Sequence, residues 1–238
     1  MVAGHLTGNA RTQYVGRMFG RIASRYDLLN DVMSLRQAQR WRRLAADLAA
    51  LPANGLALDV ASGTGDLALQ LARTSGGRVI ASDVCGEMLG IAQHKAALDG
   101  LADQIKCTLA DAHALPYASG TFACATVAFG VRNFAQPLEA LAEMRRVVQP
   151  GGRVVCLEFP RPVIGPMASA YLWSLRQVAP ALGRWVAGDE EPYEYLAESV
   201  RTFMTARQLQ QLMEDAGLRQ VRYQTMNCGT VAIHVGVA

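Results

Sequence analysis

The chain has no hydrophobic run long enough to span a bilayer: its longest apolar stretch, VIGPMASAYLWSL, carries Gly and Pro and falls short of the roughly 20 residues a crossing helix needs. The first thirteen residues are polar and Gly-containing and lack the continuous apolar run of a secretory signal, which predicts a flexible tail over 1–13. A soluble, cytoplasmic protein is the expectation from these two absences. Five cysteines, at 85, 107, 124, 156 and 228, are an odd number without CxxC or metal-ligand spacing, so buried thiols are favoured over a disulfide framework or a zinc site. There is no internal repeat, low-complexity tract or linker, which leaves a single domain over 14–238. Charged residues are sparse at 18% against 51% hydrophobic, the composition of an ordinary packed core.

The charge that is present is uneven. Residues 1–50 hold eight arginines and three aspartates, +5 in a chain whose total is +3. An anionic surface near this segment accounts for that excess, as does a solvated helix face. From Leu56 onward, apolar runs alternate with helical stretches: LALDVA, then 66–74; RVIASD, then 86–98; QIKCTLAD; ACATVAFG, then 136–148; and RVVCLEF. This predicts an α/β fold with a mostly parallel sheet and helices on both faces. A helix over 206–216 ends at Gly217, and RQVRYQTM and TVAIHVGV around an NCG turn predict an antiparallel hairpin at the sheet edge. Two segments stand apart: a helical cover over 14–50 and a Pro-rich, Trp-containing insertion over 160–205.

LDVASGTGDLALQLA joins the first strand to the first helix of the alternation, where doubly wound sheets bind ligands. Gly63 and Gly65 allow a tight turn and close backbone approach, a weak signal alone. The neighbouring charges discriminate, because Asp66 already puts a carboxylate where a pyrophosphate would sit and Asp59 ends the strand beside it. That environment favours a cationic ligand such as S-adenosylmethionine over NAD, with Asp59 attracting its amino-acid end. Asp83 suits two ribose hydroxyls, and Asp111 with Ala112 offers an acceptor to an adenine amino group. Helix capping is the competing role for Asp66 and Asp83 individually.

The fourth strand delivers Arg132 and Asn133 to its own tip. AFGVRN, with SRYDLLNDVMS and YEYLAESVRTF, resembles the quinone-biosynthesis C-methyltransferases, and the resemblance implies methylation of a hydroquinone ring carbon, which requires electron density that rises as a neighbouring hydroxyl loses its proton. Arg132 is expected to stabilise the developing phenolate while Asn133 holds the second oxygen, with no metal required. For the proton, Tyr26 and Asn30 share one helix face at i and i+4, beside Asp27. His113 and His234 are weaker candidates, more commonly structural. Met18, Phe19, Met33, Met167, Tyr171 and Trp173 are candidates for an apolar channel, with core packing the alternative for each.

SRYDLLNDVMS, LDVASGTGDLA, ADAHALPY, AFGVRN, MRRVVQPGGRVVCLEF and YEYLAESVRTF together closely resemble the quinone-biosynthesis C-methyltransferases, over roughly residues 14–237. The glycine loop and the QPGG turn are common to most class I methyltransferases; YDxxND, FGxRN and YxYLxxS are far more selective. The resemblance implies a seven-stranded Rossmann-like sheet, S-adenosylmethionine as cofactor, and contacts to it from Thr64, Asp83, Asp111 and Ala112. It implies a polyprenylated quinol as substrate, with demethylmenaquinol preferred and a benzoquinol open. Ala128 stands where the family usually has serine, so only a backbone contact survives there; His113 and Ala123 replace acidic residues. The basic N-terminal segment is then suited to a peripheral contact with an anionic membrane face. Nucleic acid is disfavoured, because VRNF replaces the Asn/Asp-Pro-Pro-aromatic motif of amino-methylating enzymes. Another small aromatic acceptor, and a non-catalytic nucleotide-binding scaffold, are the remaining alternatives. Oligomeric state is open, a homodimer included.

Overall fold

The computed structural model describes residues 8–34, 37–163, 173, 177 and 191–238, and for residues 9, 29–33, 192 and 193 it describes the backbone alone. Most of the expected insertion, with Met167 and Tyr171, lies outside the described residues, as do the side chains of Asn30 and Met33.

Two helices precede the sheet, α1 (Gly8–Met33) and α2 (Gln37–Ala49). The first begins at Gly8, within the stretch expected to be a flexible tail. Its buried Val15, Met18 and Ile22 recur at helical spacing, and Arg11 Nη2 donates to the Arg132 carbonyl at 3.0 Å, so tertiary contact holds the early turns. In α2, Ala38, Trp41, Ala45 and Ala49 form one buried stripe, and the small alanines let the helix lie close against its neighbours.

The alternation follows as β1 (Leu56–Val60), α3 (Asp66–Ser75), β2 (Arg78–Asp83), α4 (Gly86–Leu98), β3 (Ile105–Leu109), β4 (Phe122–Ala128), α5 (Pro137–Val147) and β5 (Val148–Glu158). After the insertion come α6 (Glu191–Thr202), α7 (Ala206–Asp215), β6 (Arg219–Met226) and β7 (Val231–Val237). The sheet has seven strands in the order β3-β2-β1-β4-β5-β7-β6. β1 to β5 run parallel, and β7 runs antiparallel to both β5 and β6. The central strands are mostly apolar because both faces are covered, with Asp59 and Thr126 as buried polar exceptions. Ala57, Cys124, Val155 and Leu157 face α2 and α3, whereas Leu58, Val60, Ala125, Val127 and Val154 belong to the core with α5 and α7. Alternation of side-chain direction along each strand gives the molecule these two cores.

Local chemistry fixes the element ends. Gly76 takes φ +70° and donates its N–H to Ala72 O, closing α3 as a left-handed residue at a helix C-terminus does. Thr205 and Gln208 form a reciprocal capping box at the start of α7. The parallel strands all end on one side of the sheet, and the order reverses between β1 and β4, which is where a crevice opens.

Candidate active site

The turn after β1 is held by its own polar groups. Asp59 is 1% exposed; its two carboxylate oxygens accept from Ser62 Oγ at 2.6 Å and Thr126 Oγ1 at 2.7 Å. Burial pushes its carboxyl up to about 6, with those two hydroxyls pulling the other way. Asp59 therefore fixes the glycine loop to β4 and is not part of the cavity wall described below, where its expected partner was the cofactor's amino-acid end. Gly65 adopts φ +82°, and a Cβ there would stand 2.8 Å from Ala92 Cβ, so glycine is required here for close packing of α3 on α4. Thr64 is likewise turned away: its hydroxyl donates to Asp27 Oδ1 at 2.6 Å. Asp66 pairs with Arg42 at 3.0 Å and with Lys95, so its charge is neutralised and gives no repulsion towards a phosphate. Paired in this way, Asp66 does not discriminate against a dinucleotide as its position in the sequence suggested.

Beside this loop lies a cavity with about 730 Å³ of atom-free space, part of it open to solvent. Its wall includes Ala61, Gly63, Asp83, Asp111, Ala112, Ala128 and Asn133, together with Phe19 and Tyr26 of the cover helix α1. Asp83 accepts from Gly63 N at 2.8 Å on one oxygen and from Cys85 N at 2.9 Å on the other. Burial raises its pKa, the backbone donors oppose that, and each oxygen keeps lone-pair capacity for a ligand hydroxyl. Two added hydroxyl donors would favour the charged form, so the residue fits a ribose diol. Asp111 Oδ1 accepts from His113 N at 3.0 Å and lies 2.6 Å from His113 Nδ1. His113 Nε2 accepts from Gln136 N at 3.1 Å, which assigns the proton to Nδ1. With both nitrogens engaged, His113 is an orienting group and not a base. The apolar wall residues Val84, Met88 and Phe134 complete a slot suited to an adenosine.

The strand tip differs most from expectation. After β4 the chain turns through Phe129 at φ +57°, and residues 131–133 form a single 3₁₀ turn. Arg132 points away from the crevice: Nη1 donates to Glu158 Oε1 at 2.5 Å and to Phe129 O at 2.6 Å, while its amide donates to Glu158 Oε2 at 3.2 Å. Glu158 is 0% exposed and Arg132 7%, and the guanidinium lies 5.7 Å from the Phe159 ring centroid. Burial works to lower the Arg132 pKa, but the charges of Glu158 and Tyr26, with the Glu158 hydrogen bond and Tyr195, more than offset it. Arg132 is thus the cation of a buried ion pair behind the wall and does not itself line the cavity. Asn133 does line the cavity, as does Tyr26, whose ring meets Phe19 edge-on at 5.7 Å. His234 is 0% exposed, and its Nε2 lies 2.8 Å from Ala206 O on the far side of the sheet edge, so it is structural.

Several functional groups escaped the sequence. Lys95 Nζ donates to Asp27 Oδ2 at 2.9 Å and to Thr64 at 3.3 Å and pairs with Asp66, tying α1, the glycine loop, α3 and α4 into one charged network. Asp27 is consumed in this network and is not a base. Glu158 ends β5 one residue past the Ala128–Leu157 pair, a neighbour that only the strand register exposes. Among the channel candidates, Met18 is 0% exposed in the core and Trp173 is 64% exposed.

The family model described as the ubiE/COQ5 methyltransferase family matches residues 7–238. The chain is 46% identical over 220 residues to a demethylmenaquinone methyltransferase of Thermus thermophilus, covering 92% of this chain and 99% of that one. It is 38% identical over 228 residues to a ubiquinone/menaquinone biosynthesis C-methyltransferase UbiE of an Enterobacter species, covering 95% and 91%. Among solved structures it is similar in fold to the [4+2]-cyclase SpnF, with TM-score 0.70, 23% identity and coverage of 92% and 76%. An S-adenosylmethionine-dependent methyltransferase from Aquifex aeolicus gives TM-score 0.59, 20% identity and coverage of 83% and 88%.

Proposed function

This chain belongs to the ubiE/COQ5 methyltransferase family, and on that premise we propose that it methylates a ring carbon of a polyprenylated quinol, converting demethylmenaquinol to menaquinol. It is an S-adenosylmethionine-dependent enzyme of quinone biosynthesis. The observation that carries the reading is one cavity whose wall joins Asp83, Asp111 and Ala112 to Asn133 and Tyr26. Asp83 would hold the ribose, Asp111 and Ala112 the adenine, and Gly63 and the Ala128 backbone would flank the remainder of the cofactor. The bound cofactor supplies an electrophilic methyl group.

The chain's own contribution is orientation and charge. Asn133 offers a donor to an acceptor oxygen, and Arg132, paired with Glu158 behind it, holds the Phe129 carbonyl beside that amide. Tyr26 faces the same cavity from α1 and takes part in moving the hydroxyl proton, directly or through water. Methylation at the carbon then ends with loss of that carbon's own proton, which restores the aromatic ring.

Greater identity to the Thermus thermophilus relative than to the Enterobacter one supports a naphthoquinol acceptor. We also propose a peripheral contact with anionic lipid through the N-terminal helices, supported by the arginine excess there and by Leu28, 57% exposed on α1. Both readings are tested by offering short-chain demethylmenaquinol and the matching benzoquinol in vesicles with and without anionic lipid. Faster turnover of the naphthoquinol is expected, and a higher rate on anionic vesicles. Turnover of the benzoquinol alone would overturn the acceptor, and equal rates on both vesicles would overturn the surface contact.

A further inference from the structure

Asn133 carries an amide with one acceptor and two donors, and the two orientations of that amide have opposite chemical meaning. With the nitrogen towards the cavity it stabilises an oxyanion; with the oxygen there it repels one. Two neighbours select between them. The Tyr195 hydroxyl, from the first half of α6, donates to Asn133 Oδ1 at 3.1 Å. On the other side the Phe129 carbonyl lies 3.5 Å from Asn133 Nδ2. Rotating the amide would put its oxygen against that carbonyl oxygen, two acceptors in contact. The second N–H is left for the cavity that Asn133 lines.

Tyr195 is itself placed by the cover helix. Its ring meets Tyr14 edge-on at 6.3 Å, and Tyr14 Oη donates to Glu191 Oε1 at 2.7 Å, one turn earlier on α6. Arg21 of α1 pairs with the other oxygen of Glu191 at 2.5 Å. The Phe129 carbonyl that faces Asn133 Nδ2 also accepts from Arg132 Nη1 at 2.6 Å, so it is held in place on that side of the amide.

We propose that Tyr195 is a positioning residue that locks Asn133 as a donor towards the methyl-acceptor oxygen, so that the acceptor side of the site is complete only when α6 is docked on α1. This inference rests on the quinol reading of the same cavity. It makes the segment around Tyr195 part of the reaction without any contact between Tyr195 and the ring.

The test uses Tyr195→Phe, which keeps the ring and its contact with Tyr14, alongside Asn133→Ala and the double variant. Tyr195→Phe should lower kcat about 10-fold, with the Kd for S-adenosylmethionine from calorimetry unchanged. The double variant should be no slower than Asn133→Ala alone, because Tyr195 acts through Asn133. Multiplicative losses in the double variant, or a loss of cofactor affinity matching the loss of kcat, would overturn the proposal. A second readout is the Asn133 side-chain amide resonance of the full chain, which should shift in Tyr195→Phe; an unmoved resonance would also overturn it. That measurement needs no turnover. If the unaltered enzyme failed to methylate any quinol while the resonance still moved, the substrate reading would fall and the positioning role would stand.

Discussion

Arg132 and Glu158 form an ion pair from which water is excluded, and removing either partner leaves the other charged and alone in the core. Arg132→Ala should therefore cost about 3–5 kcal/mol of folding stability, measured by chemical denaturation; a variant as stable as the parent but slow would return Arg132 to a purely catalytic role. Two other buried groups set the response to pH. Burial holds His234 down at about 4 from its ordinary 6.5, so the unfolded chain takes up a proton that the folded one refuses. Its contribution is fully present above pH 6.5 and is lost as pH falls towards 4. Asp59 has the opposite sign: raised to about 6 from 3.8, it keeps a proton that the unfolded chain releases, and stability falls as pH rises through that window. The two slopes oppose each other between about pH 4 and pH 6. In His234→Gln the slope opposing Asp59 is removed, so as pH rises from about 4.5 to about 6 the denaturation midpoint should fall more steeply than in the parent. Parallel profiles for the two proteins would contradict the assignment.

At the scale of elements, the cover helix α1 is fastened over the cavity by Asp27, which accepts from Thr64 on the glycine loop and from Lys95 on α4. Asp27→Asn keeps one acceptor and removes the charge, so α1 should lift more often. Stopped-flow measurement should show cofactor dissociation roughly 10-fold faster, the equivalent of about 1.4 kcal/mol; an unchanged rate would mean that α1 does not gate the site. The helices and strands of the alternation were legible because apolar runs and glycine stops are local signals. RVIASD and 86–98, for instance, match β2 and α4 at both ends. The start of α1 was not legible, because Arg11 and Thr12 are ordered by contacts with residues more than 50 positions away. The pairing of Arg132 with Glu158 was hidden for the same reason: an arginine at the tip of an apolar strand looks crevice-facing until the adjacent strand supplies its carboxylate. Asp66 misled in the reverse direction, since neither Arg42 nor Lys95 is near it in sequence.

At the scale of the molecule, the strand order brings the ends of β1, β2 and β4 to one rim, the cover helix α1 supplies wall residues there, and α6 reaches it through the Tyr195–Asn133 hydrogen bond. Asp83 and Asp111 share a single cavity with Asn133 and Tyr26, the arrangement that the proposed transfer between two bound molecules requires. The rim was readable from the sequence because aspartates end successive apolar runs; which of those aspartates face inward was not. Asp83 and Asp111 reach the cavity, while Asp59 and Asp66 are spent on holding the loop. No helix among the described residues is long and apolar enough to cross a membrane. A C-methyltransferase of this family places the methyl group of its cofactor on a ring carbon. Purified enzyme given S-adenosylmethionine labelled with carbon-13 in its methyl group, together with demethylmenaquinol, should yield a product whose label is bonded to the ring carbon between the oxygen-bearing carbon and the prenyl-bearing one. Label on a ring oxygen, or no label in any quinol while the protein still binds the cofactor, would contradict it.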